Sequence, residues 1–388
     1  MIDYLEVSSE KNRDNRFTKD DVLSVSGEYG IVNQIEFQGR SFAGASVSNY
    51  GVVENGDVVY TKSPLKSNPY GIIKTNKGIP GIVSTLYAVY KPKEITDSKF
   101  VQIYFELDSR MNSYMHPLVN KGAKNDMKVS AENALKGMVS FPKKDEQEMI
   151  SLYFSNLDHL ITLHQRKCEQ TKNLKKYMLQ KMFPQNGAKV PEIRFNGFTH
   201  DWEQRKLGDD LVSIHTGTNL LGSITNTGMP LIKMGNIQRG YFDTSKVEFL
   251  AENEQPDKAD IVNYGDFFFN TRNTLELVGK GATWMKNSGE YAFNSNIARF
   301  ELRNLDTIFF NYLYNTDYMT KQIHARAMGT TSVAAIYPRT LDSVEYLAPC
   351  MKEQQKIGAY FKQLDHLITL HQRQTDFYKK ISFYYISS

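Results

Sequence analysis

The sequence predicts a mixed α/β (α+β) fold, in which two globular bodies are separated by two long antiparallel helices and related by a pseudo-twofold internal repeat. Three observations support this prediction. The segment LDHLITLHQR occurs twice, at 157–166 and at 364–373. Both copies lie in stretches of roughly forty residues dominated by helix formers. Each stretch follows a body of short strand patterns and turns, which is the organisation of a duplicated domain.

The repeat is longer than these ten residues. With an offset of 207, residues 142–166 share 16 of 25 positions with residues 349–373, ten from LDHLITLHQR and six before it. Further upstream, GDVVYTK at 56–62 resembles GDFFFNTR at 265–272 with an offset of 209. The period is too long for a solenoid, so the pattern indicates domain duplication and a target with two halves.

The first body covers residues 1–142 and is predicted to consist of short strands joined by turns. VVENGDVVYTK has a strand pattern on both sides of an Asn-Gly turn, and GIPGIVSTLYAVYK alternates like a strand. LKSNPYG, which lies between them, is typical of a loop.

The first long helix is predicted over 143–183. Neither Pro nor Gly occurs between Lys144 and Phe183, and the prolines at 142 and 184 are natural boundaries. Apolar residues recur three and four positions apart, which suits an antiparallel helix pair better than a strict leucine zipper. The second helix, 350–388, repeats this stripe, and its Gly358 weakens the helix without ending it.

We expect the two helices to pack against each other around a pseudo-twofold axis and to carry partner subunits. The alternative is that each helix packs only on its own body. The residues expected at the helix interface are Tyr153, Leu157, Leu160, Tyr360, Leu364 and Leu367.

A linker, 184–201, leads to the second body at 202–349. There PLIKMGNI, IVNYGDFFFNTRN, GATWM and SNIARFEL have the strand and turn patterns of the first body. The stretch TIFFNYLYNTDYMTKQIHARAM, which follows them, is predicted to be helical.

The composition is that of a soluble globular protein. Of 388 residues, 40% are hydrophobic and 23% are charged, and the chain is long enough for two or three domains with their own cores. No run of about 18 apolar residues and no basic-then-apolar start occurs, so we expect a cytoplasmic protein with no membrane partner. The net charge of +4 permits a nucleic-acid partner only through local basic patches.

Basic and amide residues collect where predicted strands join loops, at corresponding places in the two bodies. Loops held by a rigid sheet often carry recognition residues, and these side chains are the types that contact DNA bases and phosphates. Any one of them alone is better explained as a solvated surface group, but the repeated set favours DNA. The candidate DNA-binding residues are Lys62, Lys66 and Lys74 in the first body and Lys233, Asn270, Arg272, Asn273 and Lys280 in the second.

The sequence contains no recognisable catalytic motif. Adjacent prolines are absent, and with them the Asn/Asp-Pro-Pro-aromatic loop of adenine methyltransferases, and so are GxxxxGK[ST], GxGxxG, HExxH and CxxC. The histidine pairs 159/164 and 366/371 are five residues apart, or about 140° around a helix, which does not suit zinc. Neither Cys168 nor Cys350 has a metal-ligand spacing. We therefore expect a binding protein without catalytic residues, metal or cofactor of its own.

The segment MFPQNGAKVPEIRFNGFTHDWEQRKLGD, at 182–209, resembles the segment that joins the two halves of specificity subunits of Type I restriction–modification systems. In that family a helix ends at Phe-Pro, and an RF-GF…W…KLGD pattern opens the next domain. The Pro…Glu-Gln helix starts at Pro142 and Pro349 resemble the same family's helix signature. The resemblance covers essentially the whole chain, although the bodies match only loosely.

The resemblance implies that each body is a target recognition domain that reads one half of a bipartite, asymmetric sequence in double-stranded DNA. The two helices would form an antiparallel coiled coil that sets the spacer between the half-sites. Two modification (methyltransferase) subunits, which methylate adenine with S-adenosylmethionine, and two restriction (endonuclease/translocase) subunits, which use ATP with Mg, would assemble on the chain. The chain itself would catalyse nothing.

One departure from the family concerns the start of the first body. With an offset of 209, a counterpart of WEQRKLG at 202–208 would fall before Met1, so we expect the first copy to lack this segment. Two other functions stay open, namely a scaffold that assembles partners through its helices without reading DNA, and an anti-restriction or regulatory decoy. A decoy needs acidic surfaces that mimic DNA, and the net charge of +4 argues against it.

Overall fold

The computed structural model describes residues 1–62, 68–121, 127–185, 187–330 and 332–387. The chain forms two compact units: unit 1 consists of Met1–His164 and Arg373–Ser388, and unit 2 of Gln165–Gln372. Each unit holds one body and parts of both long helices, because each helix begins in one unit and ends in the other. Within the described ranges, no helix is long and apolar enough to span a membrane.

Unit 1 contains short strands, four short helices and the start of a long one. Its strands are β1 Leu5–Val7, β2 Leu23–Ser26, β3 Gly30–Asn33, β4 Gly51–Val53, β5 Val58–Thr61, β6 Ile73–Thr75, β7 Gly81–Val83, β8 Tyr87–Pro92, β9 Asn120–Lys121 and β10 Met127–Lys128. Its helices are α1 Gln34–Gln38, α2 Ser98–Phe105, α3 Asp108–Met115, α4 Ala131–Ala134 and the start of α5, Lys144–Lys181.

Unit 2 continues with a second set of elements. Its strands are β11 Glu203–Lys206, β12 Leu211–Thr216, β13 Pro230–Ile232, β14 Glu248–Phe249, β15 Phe267–Asn270, β16 Arg272–Asn273, β17 Gly281–Thr283, β18 Ala292–Phe293, β19 Ile297–Leu302, β20 Met328–Gly329, β21 Ala334–Ala335 and β22 Glu345–Ala348. Its helices are α6 Leu207–Asp210, α7 Thr307–Tyr314, α8 Asp317–His324 and the start of α9, Met351–Ser387. Short 3-10 helices lie at Lys19–Asp21 in unit 1 and at Met234–Asn236, Lys258–Asp260 and Pro338–Ser343 in unit 2.

The two long helices are present as predicted. Helix α5 has 38 residues and α9 has 37, and Gly358 lies inside α9 without interrupting it. A Cβ added to Gly358 would lie 2.9 Å from the backbone nitrogen of Phe309, so the missing side chain allows α9 to pack closely on α7.

Each unit is built around a four-stranded antiparallel sheet, and the two sheets have the same connectivity. The strand order is β1-β8-β5-β6 in unit 1 and β12-β19-β15-β17 in unit 2. Strands β5 and β15 are buried at every position, which is why VVYT and FFFN are unbroken runs instead of alternating patterns. Phe267 and Phe269 lie in the largest core of unit 2, and Phe268 lies in a second core on the other face of the same strand.

The turn before each of these buried strands is also the same in the two units. Gly56 has a φ of 89° and Gly265 a φ of 90°, a left-handed conformation that glycine adopts without strain. The next residue, Asp57 or Asp266, accepts a hydrogen bond at 2.9 Å from the backbone three residues earlier. GDVVYTK and GDFFFNTR therefore form the same turn and strand, in agreement with their resemblance.

A glutamine fastens the first turn of α5 to the body of unit 1. The Gln147 Oε1 accepts a hydrogen bond from the Asp97 amide at 2.9 Å, and its Nε2 donates to the carbonyls of Ile95 and Pro142 at 3.1 and 2.8 Å. The glutamine is fully buried, so these bonds satisfy backbone groups that water does not reach.

Gln354 repeats this arrangement at the start of α9. Its Oε1 accepts from the Asp306 amide at 2.9 Å, and its Nε2 donates to the carbonyls of Pro349 and Asn304 at 2.9 and 3.5 Å. The repeated Glu-Gln pair in the sequence therefore includes one residue, the glutamine, whose structural role is the same in both units.

The two helices pair in an antiparallel manner inside unit 1. The ring of Tyr153 in α5 contacts that of Tyr385 in α9, with 5.6 Å between centroids. One end further along, His164 stacks on Tyr378 at 5.7 Å, so the residue number rises in α5 while it falls in α9.

The same antiparallel pairing occurs inside unit 2. The Lys175 ammonium lies 2.5 Å from the Asp365 carboxylate, and the Cys168 thiol lies 3.8 Å from the Ile368 carbonyl. Of the six predicted helix-interface residues, two are buried, three are partly buried and one is exposed, in the order Leu157, Leu364; Leu160, Tyr360, Leu367; Tyr153. A role in binding partner subunits stays a prediction.

Candidate nucleic-acid interface

Lys62 directly follows β5 in unit 1 and is only partly buried. Burial and the nearby ammonium of Lys11 lower the pKa of Lys62, and the carboxylate of Glu132 partly offsets them. Two cations placed close together create a positive surface at the end of β5, which is the electrostatic requirement for binding a phosphate.

The other two predicted residues of the first body do not add to this surface. Lys66 lies outside the described residues. Lys74, in β6, is 4% exposed, and its ammonium lies 2.6 Å from a carboxylate oxygen of Glu106. Lys74 therefore ties β6 to the end of α2 and does not present its charge to DNA, because its face of the sheet is covered by that helix.

Asn270 ends β15 in unit 2 and is completely buried. Its Oδ1 accepts a hydrogen bond from the Arg272 amide at 3.3 Å, and its own amide donates to the Lys280 carbonyl at 2.8 Å. Gly279 also donates its amide to the Asn270 carbonyl at 3.0 Å. Asn270 thus holds both ends of the 271–280 loop and positions its neighbours, and it does not contact DNA itself.

Arg272, Asn273 and Lys280 are the residues that this loop presents. Arg272 is exposed in β16, and Asn273 beside it accepts a hydrogen bond from the Thr274 amide at 2.8 Å. The ammonium of Lys280 donates to the Gln238 side-chain oxygen at 2.7 Å. The structure therefore brings three of the five predicted residues of the second body to one loop.

Lys233 is separate from that loop. Its ammonium contacts both carboxylate oxygens of Glu248 at 2.9 Å, beside a cavity that is also lined by Asn236 and Lys246. This pairing neutralises its charge, so Lys233 contributes less to a positive surface than its position in the sequence indicated.

Arg239 and His324 belong to the site although the sequence analysis did not single them out. The Arg239 guanidinium lies 3.0 Å from the His324 Nε2, and burial together with that guanidinium lowers the pKa of His324. The imidazole is therefore neutral at neutral pH and accepts the hydrogen bond. Burial and Arg239 likewise lower the pKa of Lys280. An arginine in a Gln-Arg-Gly turn was the available sequence signal, since Gly240 has a φ of 81°.

We call Arg239, Arg272 and Lys280 the basic cluster of unit 2. A guanidinium can donate two parallel hydrogen bonds to a phosphate or to the O6 and N7 of guanine, whereas an ammonium acts as a point charge. The cluster is thus suited to contacts with both the backbone and the bases of DNA.

Metal binding is not indicated in the ranges that the structure describes. They contain no group of three or more His, Cys, Asp and Glu residues arranged to hold an ion. Cys168 is buried and Cys350 is exposed, and both are free thiols.

Residues 199–376 match a known family, the Type I restriction modification DNA specificity domain. The matched range begins just before β11 and ends within α9, so it includes the basic cluster of unit 2.

Two curated proteins of Methanocaldococcus jannaschii are similar to this chain. The Type I restriction enzyme MjaVIII specificity subunit is 23% identical over 329 residues, which cover 80% of this chain and 73% of that protein. The putative Type I restriction enzyme MjaX specificity subunit is 24% identical over 210 residues, which cover 52% of this chain and 48% of that protein.

Among solved structures, the S subunit of a Type I restriction–modification system from M. genitalium is similar in fold. It is 12% identical, with a TM-score of 0.55, and the match covers 99% of this chain and 93% of that one. At this identity the likeness shows the fold, and it extends over both bodies and both long helices.

Proposed function

We propose that this chain, which belongs to the family of Type I restriction–modification specificity subunits, reads a bipartite and asymmetric DNA site with one half-site for each body. Its role is DNA-sequence specificity, and catalysis belongs to other subunits. Base edges in the major groove carry the sequence information, while phosphate contacts set the register.

One observation supports the assignment of a half-site to each body. The two sheets have the same strand order, and the same buried strand of each leads to a basic residue, Lys62 after β5 and Arg272 in the loop after β15. The surroundings differ, since Lys62 lies near Lys11, whereas Asn270 holds the loop that presents Arg272 and Lys280. A shared frame with different basic residues suits two half-sites of different sequence.

The proposal includes the partners that the family resemblance implies. Two modification subunits with S-adenosylmethionine would methylate adenine, and two restriction subunits with ATP and Mg would cleave DNA. Adenine must leave the base stack before methylation, so the specificity subunit has to hold a deformed duplex. The expectation that the helices set the spacer length belongs to the same proposal.

The test begins with the site itself. Methylome sequencing of a host carrying the assembled system should return one bipartite motif. Binding of the complex with its modification subunits is then measured by fluorescence anisotropy on three duplexes, with both half-sites intact or with either one scrambled. Equal binding to all three and to random DNA would favour the scaffold function and exclude the proposed one.

Single substitutions then assign the bodies to the half-sites. Arg272→Ala or Lys280→Ala should remove the discrimination against a scrambled second half-site, by about 1–3 kcal/mol if a base contact is lost. Lys62→Ala should act on the first half-site alone. A residue that contacts only phosphate should instead lower the salt dependence, by about one ion per contact.

The matched controls are two further lysine substitutions. Lys172→Ala changes an exposed lysine on α5 and should leave both half-sites unaffected. Lys74→Ala, at the buried pair with Glu106, should lower stability without a selective effect on either half-site. Equal effects of Lys62→Ala and Arg272→Ala on both half-sites would show that the assignment of bodies is incorrect.

A further inference from the structure

We propose that unit 1 has an open β-strand edge, at residues 138–141, that binds an extended segment of a partner polypeptide. In unit 2 the corresponding edge strand is β22, and β11 pairs with it from Glu203 opposite Ala348 to Lys206 opposite Glu345. With the offset of 207, the counterpart of β22 is 138–141. In the described part of the chain this segment belongs to no strand.

Residues 138–141 already have the side-chain pattern of an edge strand. Val139 and Phe141 pack against the core of unit 1, while Met138 is 96% exposed and Ser140 is exposed. Strand β22 alternates in the same way, with Tyr346 buried and Glu345 only partly buried. Alternation with period two places one row of side chains in the core and leaves the backbone edge free to pair.

The backbone immediately before the two edges is held in the same way. The Val344 carbonyl accepts a hydrogen bond from the Leu207 amide at 2.8 Å, and the Gly137 carbonyl accepts one from the Met1 amino group at 2.8 Å. Met1 and Leu207 are both buried. The two bodies are therefore equivalent up to the edge, and they differ in what lies against it.

A carboxylate beside each edge differs in the same sense. In unit 2 the Arg194 guanidinium donates two hydrogen bonds of 2.7 Å to Glu353, which is 0% exposed. The counterpart of Glu353 is Glu146, which is exposed, and no cation of the described residues pairs with it. Unit 1 therefore retains the acceptor for an arginine that another segment would supply.

The helix face next to the open edge is more apolar than its covered counterpart. In unit 2, Phe195 contacts Tyr360 with 6.0 Å between ring centroids, and the Lys356 ammonium lies 5.1 Å from the ring of Phe198. The counterparts of Lys356, Ala359 and Tyr360 in unit 1 are large apolar residues with exposures of 65%, 62% and 43%, namely Met149, Leu152 and Tyr153. Neighbouring exposed apolar side chains of this kind indicate a surface that is covered in the working assembly.

These features define the chemistry of the partner. It is an extended polypeptide with an arginine for Glu146, aromatic side chains for Met149 and Tyr153, and a strand about ten residues later for 138–141. DNA does not fit, because Glu146 would repel phosphates. A second copy of this chain does not fit either, since its Arg194 and Trp202 are already buried in its own unit 2.

The test uses the chain's own covering segment as the probe, without DNA. A fluorescein-labelled peptide of residues 189–207 should bind the full chain at one site in fluorescence anisotropy. The Arg194→Ala peptide, and the chain variant Glu146→Gln, should each bind about tenfold more weakly, because a charge-assisted pair is lost. The chain variant Glu148→Gln, an exposed charge change on the same helix, should bind like the parent. Absence of binding, or equal binding by Glu146→Gln, overturns the proposal.

The register supplies a second, independent measurement. Lys206 of the peptide should lie opposite position 138, as Lys206 lies opposite Glu345 within unit 2. In a Cys350→Ser background, a Lys206→Cys peptide should form a disulfide with Met138→Cys under copper–phenanthroline, but not with the exposed control Leu86→Cys. Crosslinking to Glu345→Cys in place of Met138→Cys would mean that the peptide invades unit 2, and would overturn the proposal. Both measurements are independent of whether the chain reads DNA.

Discussion

In unit 2, residues 189–206 lie against the edge strand and the first turns of α9, whereas in unit 1 the corresponding edge and helix face are exposed. The sheet order and the helix-start glutamines are the same in both units. The difference shows that the frame of strands and helix is specified independently of what covers its edge. It also shows that a carboxylate in this position is buried only where an arginine accompanies it, because an unpaired buried charge is strongly destabilising.

The largest expected difference between the units concerns the two equivalent glutamates. Glu353→Gln breaks a buried bidentate ion pair and should cost about 3–5 kcal/mol of unfolding free energy, whereas Glu146→Gln should cost less than about 0.5 kcal/mol. Both tryptophans, Trp202 and Trp284, lie in unit 2, so tryptophan fluorescence in urea reports on that unit. Similar effects of the two substitutions would mean that the ion pair does not distinguish the units.

The helix-start glutamines should instead behave alike. Gln147→Ala and Gln354→Ala each leave buried backbone groups without partners, and each should cost about 1–3 kcal/mol. Hydrogen exchange measured by mass spectrometry resolves the two units, and protection should fall at the start of the affected helix. Gln165→Ala, at an exposed helix position, is the control and should be close to neutral. A large cost at only one glutamine would contradict the equivalence of the two helix starts.

The turn glycines give a smaller matched pair. Gly56→Ala and Gly265→Ala force a side chain into a left-handed conformation, although neither new Cβ would clash, so each should cost about 1–2 kcal/mol. Gly27→Ala, in open space and without a positive φ, should be neutral or slightly stabilising. Thermal unfolding midpoints measure all three, and a neutral result at Gly56 alone would show that the two turns differ.

The smallest effects are expected at the aspartates of LDHLITLHQR. Asp365 bonds to Lys175 and accepts from the Tyr312 hydroxyl at 2.9 Å, so Asp365→Asn should cost about 1 kcal/mol. Asp158 has no such partner in the described residues, and it lines a cavity of about 340 Å³ in unit 1. Partial desolvation raises the pKa of Asp158, so its charged form opposes folding at neutral pH.

The sign for Asp158 follows from that direction. Because the folded-state pKa lies above the unfolded value, wild-type stability increases as the pH falls through the folded pKa. Asp158→Asn should therefore be neutral or slightly stabilising at pH 7, and the difference should vanish below the raised pKa, where the wild-type carboxyl is neutral. Urea unfolding of both aspartate variants between pH 3 and pH 7 checks this, and a clear loss of stability for Asp158→Asn at pH 7 would contradict it.

The sequence predicted the elements better than it predicted the site. The long helices, the GDVVYTK and GDFFFNTR strands and the helical stretch after SNIARFEL all appear where their patterns placed them. Among the site residues, Arg272 and Lys280 are presented by one loop, but Lys74 and Asn270 are buried. Arg239 joins Lys280 from a different turn, 41 residues earlier in the chain by number. No local pattern contains that proximity.

By itself, the sequence determined that the protein is duplicated, where its helices begin and end, and which residue types each body presents. Periodicity, proline boundaries and repeated identities are local properties, and local properties can be read along a chain. Only the tertiary structure decided which charges are paired and which edge is covered. Lys74 is buried because Glu106 and α2 reach it across the fold, and Glu353 is buried because Arg194 arrives from 159 residues away. Burial depends on contacts between distant segments, and the same Glu-Gln pair therefore has two different environments in one chain.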